Sequence, residues 1–287
     1  MSLKTLLLKC SKILPDKLYL QLKYWQRMHK WLNLKNPQTF SEKLQWLKLY
    51  DRNPLYTTMV DKYAVKKWAA EKIGDRYIIP TLGVWDKFED IDFDKLPNQF
   101  VLKTTHDSGG VVICRDKKKF DKQAACVKLT KSLEYNYYYH GREWPYKNVK
   151  PRIIAEKYME SNDMQELVDY KFFCFDGVAK FMYISNDLGQ MPHTDFFDMN
   201  KRFLNFHLKD PNSVNIPVIP DQFDEMKRLA ECLSNKIPHL RVDFYLVNEH
   251  VYFGECTFYH NSGFTKFTPD MWDKIIGDWL ILPGKKK

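Results

Sequence analysis

The stretch "FVLKTTHDSGGVVICRD", Phe100 to Asp116, sets a lysine at the end of one apolar run and two glycines at the start of the next. Runs rich in Val, Ile and Phe on either side of a Ser-Gly-Gly turn describe an ordinary antiparallel β-hairpin. A tight turn needs no lysine before it, however, and the linker Thr104-Thr105-His106-Asp107-Ser108 is longer than hairpin geometry requires. The competing reading is a phosphate clasp. In it Lys103 neutralises a polyphosphate, while the Ser108 hydroxyl and the N–H groups freed by Gly109 and Gly110 close over it. Taken alone the stretch favours the plain hairpin, because short motifs of this kind recur by chance.

The chain around it has 287 residues, ample for a buried core and for one large or two modest domains. No apolar run is long enough to span a bilayer, and Leu6 to Leu8 is too short for a signal-peptide core, which predicts a cytoplasmic protein. The six cysteines form no C-x-x-C pair and read as reduced, small apolar residues. The net charge of +9 is concentrated at the front, where Met1 to Lys35 holds eight Lys/Arg and the single acid Asp16. Aromatic and aliphatic residues interleave with those cations in "LYLQLKYWQRMHKWLNL", Leu18 to Leu34. Residues 1–35 therefore suit peripheral contact with an anionic membrane surface or a polyanionic glycan, or else a helical layer packed on the body with a solvated basic face. Nucleic acid is not expected, since the aromatics are spaced like a core face and no recognition motif appears.

Residues up to about 58 read as helical, with Thr39-x-x-Glu42 as a capping box and Phe40, Leu44 and Leu47 on one face. A second helix is predicted over Asp61 to Ile73. Strands follow in "YIIPTLGVW", "QFVLKTT" and "GGVVICR", then a helix between Lys117 and Tyr138. After Pro151 come "RIIAEKYM", a hairpin of "DYKFFCF" and "VAKFMYIS" across Asp176-Gly177, and a helix carrying Phe223, Met226, Ala230, Leu233 and Ile237. A last hairpin ends the series. Hairpins beside helices, without strict strand–helix alternation, indicate an α+β fold.

The last hairpin, "LRVDFYLVNEHVYFGECTF" from Leu240 to Phe258, sets acids across from each other. With Asn248-Glu249-His250 as the turn, Asp243 faces Glu255 and Arg241 faces Thr257. The period of two then puts Arg241, Asp243 and Tyr245 on one face with Phe253, Glu255 and Thr257. Opposed like charges destabilise a sheet, so the pair asks for a cation. Mg²⁺, which needs one or two carboxylates beside substrate phosphates, is one answer. A solvated face with an acid paired to Arg241 or a lysine is the other.

From "NPQTFSEKLQWLKLYDRNPLYTTMVDKYAVKKW" to "GECTFYHNSGF" the chain resembles the ATP-grasp superfamily. The nearest likeness is to the branch typified by TupA-like proteins of bacterial teichuronopeptide and capsular polysaccharide gene clusters. The resemblance implies an ATP-grasp fold of two α+β lobes. These would be a small lobe with a glycine-rich flap over residues 59–155 and a core lobe with a metal-binding hairpin over 156–284, after a basic helical segment at 1–58. It turns the opening hairpin into a nucleotide clasp. By that likeness Lys62 and Lys103 hold the ATP phosphates, and His106 to Gly110, with Ser108 and Gly109, form the flap. The backbone near Glu156, Lys157 and Met159 reads the adenine edge, and Asp169 binds the ribose. Asp243 and Glu255 hold Mg²⁺, with Thr257 where the family often has asparagine and Asn261 or water completing the shell. Arg241 approaches the transferred phosphate.

The implied activity is that of a carbon–nitrogen ligase, in which ATP phosphorylates a carboxylate and an amine displaces the phosphate. The branch implies a uronic-acid carboxylate of a cell-surface glycan or its lipid-linked precursor, joined to an amino acid. His106 with Lys103 and Arg241 is a catalytic candidate. Lys171, His193, His260 and Ser262 are substrate candidates, and "DLGQMPHTDFF" is read as a substrate loop. The front segment replaces the βαβ domain of many superfamily members, which leaves the acceptor site unassigned. Three other readings stand beside the ligase. One is a capsule glycosyltransferase, using the D-x-D-like "EDIDFD" of Glu89 to Asp94. The others are a carbohydrate kinase and a non-catalytic scaffold.

Overall fold

In the computed structural model, residues 12–160, 167–186 and 192–284 are described. Helix α1 (Asp16–Met28) buries Leu20, Tyr24 and Met28 at a spacing of four, and leaves Lys23 and Arg27 on another side. Helix α2 (Phe40–Tyr50) opens with the expected capping box: Glu42 N–H donates to Thr39 Oγ1 at 3.3 Å and Thr39 N–H to Glu42 Oε2 at 3.2 Å. Two short helices follow, α3 (Leu55–Val60) and α4 (Ala64–Ile73). Lys62 sits in the turn between them, ahead of the helix predicted to contain it.

The first sheet has four antiparallel strands in the order β1 (Thr81–Trp85), β4 (Ile153–Lys157), β2 (Phe100–Thr104), β3 (Val111–Cys114). Burial alternates along β2. Phe100 and Leu102 pack with Ile153, Ala155 and the Ala125 and Leu129 face of α5 (Lys122–Leu133), which the one-turn α6 (Tyr138–Gly141) follows. Val101 and Lys103 therefore point to the other face, opposite Glu156 and Ile154 of β4. Strands β2 and β3 form a plain antiparallel hairpin, as the first reading of the opening stretch has it, and the hairpin carries a long, closed loop.

The second sheet has six strands in the order β10 (His250–Thr257), β9 (Leu240–Val247), β5 (Asp169–Phe175), β6 (Val178–Asn186), β7 (His193–Asp198), β8 (Phe203–Leu204). One face packs under α7 (Phe223–Ser234), whose Phe223, Met226, Leu229, Ala230 and Leu233 are buried. The β9–β10 turn is Asn248-Glu249 alone, both left-handed with φ of 49° and 63°, as a two-residue hairpin turn requires. A bulge at Gly254 then restores the spacing, so Asp243 still faces Glu255 and Arg241 still faces Thr257. The turn is one residue shorter than predicted and the bulge one residue longer, and the two errors cancel. Phe253 lies outside the cancellation: it pairs with Phe244 and enters the core instead of sharing the acidic face.

One boundary differs from the sequence reading. Strand β4 runs through the expected lobe boundary at 155/156 and belongs wholly to the first sheet. The described part of the basic front segment packs on the body, as one of its two readings has it. Leu20, Tyr24 and Met28 share one core cluster with Phe172, Phe244 and Ile276, and α2 is tied to helix α8 (Met271–Trp279) by Lys43 Nζ donating to Gly277 O and Leu280 O, each at 2.8 Å. "HTDFF" of the expected substrate loop is strand β7, with Phe196 and Phe197 buried, while residues 187–191 lie outside the described residues. Among the described residues no helix is long and apolar enough to cross a membrane.

Candidate functional site

The unburied face of the first sheet closes over the β5–β9–β10 end of the second, leaving a cavity of about 460 Å³. Val101, Lys103, Val111, Ile113 and Glu156 line it from above, and Asp169, Tyr245 and Glu255 from below. Ile79, Met159 and Leu167 give one end an apolar wall. Lys103 Nζ meets Glu156 Oε2 at 2.6 Å, and Lys66 Nζ meets the other oxygen of the same carboxylate. Burial opposes the Glu156 charge, but the two ammonium groups hold its pKa down at about 2. Burial likewise opposes Lys103, whose pKa the Glu156 carboxylate nonetheless holds above the ordinary lysine value. Lys66, one helical turn past Lys62, was not singled out in the sequence. Lys157 N–H donates to Pro80 O at 3.0 Å, which removes it from the groups free to read a base edge.

The loop between β2 and β3 forms the lip of this cavity. Asp107 is its anchor, accepting from the Thr104 and Ser132 hydroxyls, and Lys62 Nζ donates to Asp107 O and, at 3.2 Å, to Thr104 O. Gly109 has φ 108°, a conformation side chains rarely adopt, and lines the cavity. Gly110 serves closure, since a Cβ there would overlap Thr104 Oγ1 and Ser132 Oγ. His106 is buried behind the loop, with Nε2 3.1 Å from Tyr135 O, and lines neither this cavity nor the next. Its expected catalytic position is thus not where the fold puts it.

On the floor a ladder of alternating charge runs across β5, β9 and β10. Arg241 Nε and Nη2 donate to Asp243 Oδ1 and Oδ2, both at 2.7 Å, and Nη2 reaches Glu255 Oε1 at 2.9 Å. Lys171 Nζ joins Asp243 at 2.8 Å and Asp169 at 3.0 Å. Lys171 therefore belongs to this ladder and lines neither cavity. Burial opposes the Asp243 charge, which Arg241 and Lys171 keep, lowering its pKa; burial raises that of Asp169 despite Lys171. The Arg241 guanidinium already bridges Asp243 and Glu255, so the pair is built to share a cation. Glu255 is partly exposed and lines both cavities, and the Thr257 hydroxyl lies 3.1 Å from it. The oxygens of Glu255, Asp243 and Thr257 are of the kind a hard divalent ion takes, while both Asp243 oxygens already accept from Arg241 and Lys171. Among the described residues no cluster of three or more acidic, histidine or cysteine side chains is set to hold a metal.

A second cavity of about 390 Å³ shares Ser108 and Glu255 with the first. Arg241 and Thr257 line its inner end, Tyr137, Tyr146 and Tyr259 its sides, and Lys23 and Arg27 of α1 another wall. Glu143 and Ser262 meet there by a hydrogen bond from the Ser262 hydroxyl. Burial pushes the Glu143 carboxyl up, against the pull of Lys48. Burial brings Lys48 down to about 7, its Nζ donating to Gly141 O and Ser262 O at 2.8 Å each. Asn261 and Ser262 are left-handed, with φ of 48° and 54°, a strain of about 1–3 kcal/mol per residue that clusters at functional sites. Ser262 is thus in the cavity as a substrate candidate should be. His260 is behind it, its Nδ1 2.8 Å from Arg241 Nη1, and His193 on β7 lines neither cavity. Burial, then Arg241, drives the His260 pKa well down, which leaves it a neutral prop for the guanidinium.

The sequence pattern of the family described as TupA-like ATPgrasp matches residues 42–281. No curated protein matches the chain significantly. Among solved structures it is similar to D-alanine–D-alanine ligase from Bacillus anthracis, at 19% identity and a TM-score of 0.41, over 69% of this chain and 56% of that one. A second similarity is to D-alanine–D-alanine ligase from Helicobacter pylori, at 13% identity and a TM-score of 0.48, over 87% and 68%. A third is to N5-carboxyaminoimidazole ribonucleotide synthetase from Thermus thermophilus, at 12% identity and a TM-score of 0.41, over 76% and 51%. The chain spans a little over half the length of the Bacillus anthracis ligase it matches.

Proposed function

The chain belongs to the TupA-like ATP-grasp family, and from that premise we propose that it is an ATP-dependent carboxylate–amine ligase working through an acyl phosphate. The observation that carries the reading is the pair of cavities meeting at Ser108 and Glu255. In the first, ATP lies with its base against Ile79, Met159 and Leu167, its ribose by Asp169, and its phosphates between Lys62 and Lys103 beneath Gly109. Glu255 and Asp243 would hold Mg²⁺, which would supply charge neutralisation there. A substrate carboxylate in the second cavity attacks the γ-phosphorus, ADP leaves, and Arg241 at the junction stabilises the transferred group. The amine then attacks the acyl carbon, phosphate leaves, and the nitrogen's proton passes to Glu143, whose carboxylate burial makes a stronger base than an exposed one.

For the substrates we assign a sugar-acid carboxylate, a uronic acid of a bacterial capsular or cell-surface polysaccharide or its precursor, and an amino-acid amine. Family membership and a cation-rich, tyrosine-sided second cavity support this. Consumption of ATP fits a cytoplasmic reaction at the inner face of the membrane. The glycosyltransferase reading has less behind it. Asp92 in "EDIDFD" caps a turn, accepting from Asp94 N–H at 3.1 Å, and the run lines neither cavity.

The test is positional isotope exchange in β,γ-bridge-labelled ATP with Mg²⁺ and a panel of uronic acids, without amine. Carboxylate-dependent scrambling, followed by amide on addition of amino acids, is the expected result. No scrambling with any acid, together with turnover of a UDP-sugar, would reject the ligase for the transferase.

A further inference from the structure

Helix α1 buries one side and turns two cations toward the second cavity. Lys23 and Arg27 are four residues apart, hence neighbours on the helix surface, and both line that cavity. Lys23 Nζ is fixed there by the Tyr19 hydroxyl at 3.1 Å and the His140 carbonyl, and stands 5.1 Å from the centroid of the Phe264 ring. Its surroundings are cationic. Burial, then Arg27, brings its pKa to about 8, with Arg142 adding to the effect and only Glu143 opposing. Glu143 is occupied by the Ser262 hydroxyl, and among the described residues neither Lys23 nor Arg27 makes an ion pair with an acid. At the inner end, Arg241 is already satisfied by Asp243 and Glu255. The two ends of the cavity thus differ: one is a neutralised ladder where the chemistry is read, the other a pair of cations lacking a counter-ion. Between them Tyr137, Tyr146 and Tyr259 offer flat apolar faces with polar tips, which suit the carbon face and hydroxyl rim of a pyranose.

We infer that α1 is a wall of the acceptor site, where Lys23 and Arg27 hold a second anionic group, carboxylate or phosphate, of a sugar acid whose reacting carboxylate lies at the Arg241 end. This rests on the ligase reading and adds to it the charge pattern of the substrate: two anions separated by a sugar ring. The basic front segment then recognises substrate by what it places inside the protein as well as by any outer surface.

The experiment is calorimetric titration of the full chain, saturated with a non-hydrolysable ATP analogue and Mg²⁺ so that the first cavity is filled. Three probes are compared: methyl glucuronide with one carboxylate, glucuronic acid 1-phosphate, and trigalacturonate. At least one of the two probes that carry more than one anionic group is expected to bind tenfold or more tighter than methyl glucuronide, and which one gains identifies phosphate or carboxylate as the second group. In Lys23→Gln/Arg27→Gln, and in part in the exposed single variant Arg27→Gln, that gain should disappear with nucleotide affinity unchanged. Equal affinity for all probes, a gain that survives both variants, or no binding of any probe overturns the inference. Failure of the nucleotide to bind, with the two-anion preference intact and lost in the variants, counts against the ligase and for the anion site.

Discussion

The two cavities are built by different means. The first draws most of its charged side chains from paired strands, where alternation dictates that Lys103, Val101 and Glu156 share one face and Asp169 and Tyr245 another. The second gathers α1, the segment from Tyr137 to Tyr146, Lys209 and the loop from Thr257 to Thr265, which are remote in the chain and meet only through tertiary packing. A strand-built site therefore tolerates errors in turn length provided register recovers, as at Gly254. A site built from helix faces and loops depends on docking that no local pattern encodes.

The comparison breaks most visibly at Lys103. Lys103→Ala should lower affinity for an ATP analogue at least 100-fold, read by calorimetry. It should also lower the melting temperature, because breaking a buried ion pair costs about 3–5 kcal/mol, here softened because Lys66 still contacts Glu156. Anion binding in the second cavity should be unaffected. Equal losses in both would mean the cavities are one site.

Glu143→Gln probes the opposite side. Amide formation should slow about 100-fold, the usual scale for losing a general base, while carboxylate-dependent isotope exchange, which needs no amine, keeps its rate. Loss of both in quenched-flow assays would assign Glu143 to holding Ser262 and the loop instead.

These residues also show what was legible. The capping box at Thr39 and Glu42, the Asp176-Gly177 hairpin and the Asp243–Glu255 pairing follow from local periodicity and turn chemistry, and they appear as read. The nature of the chain as an ATP-grasp family member came from ordered motifs. Strand β7 was missed because "HTDFF" follows turn residues and carries His and Asp on a strand otherwise buried. Glu143, Lys48, Lys23 and Arg27 were invisible as a group because burial of a Lys or Glu is a tertiary property. His106 shows the reverse error: a polar residue beside glycines looks catalytic, yet the loop closes by burying it.

A smaller effect is expected at the lip. Gly110→Ala would push Cβ into Thr104 Oγ1 and Ser132 Oγ, so the loop must shift, at about 1–3 kcal/mol in a thermal melt. Nucleotide affinity should fall with it. Full retention of both would show that the loop is not packed as described.

A further effect is confined to acid. Glu156 has a folded-state pKa of about 2 against an ordinary 4.5, so its stabilisation is present above about 4.5 and is lost as pH falls toward 2. Glu156→Gln should flatten that part of the stability curve, followed by circular dichroism between pH 5 and 2. An unchanged acid limb would deny that Lys66 and Lys103 hold the carboxylate charged.

The most direct test of the division between the cavities is calorimetry with a non-hydrolysable ATP analogue, with and without Mg²⁺, on the native chain, Lys103→Ala and Lys23→Gln/Arg27→Gln. The account requires one magnesium-dependent nucleotide site, abolished by the first substitution and untouched by the second. Absence of nucleotide binding, or its loss on changing only Lys23 and Arg27, would contradict it.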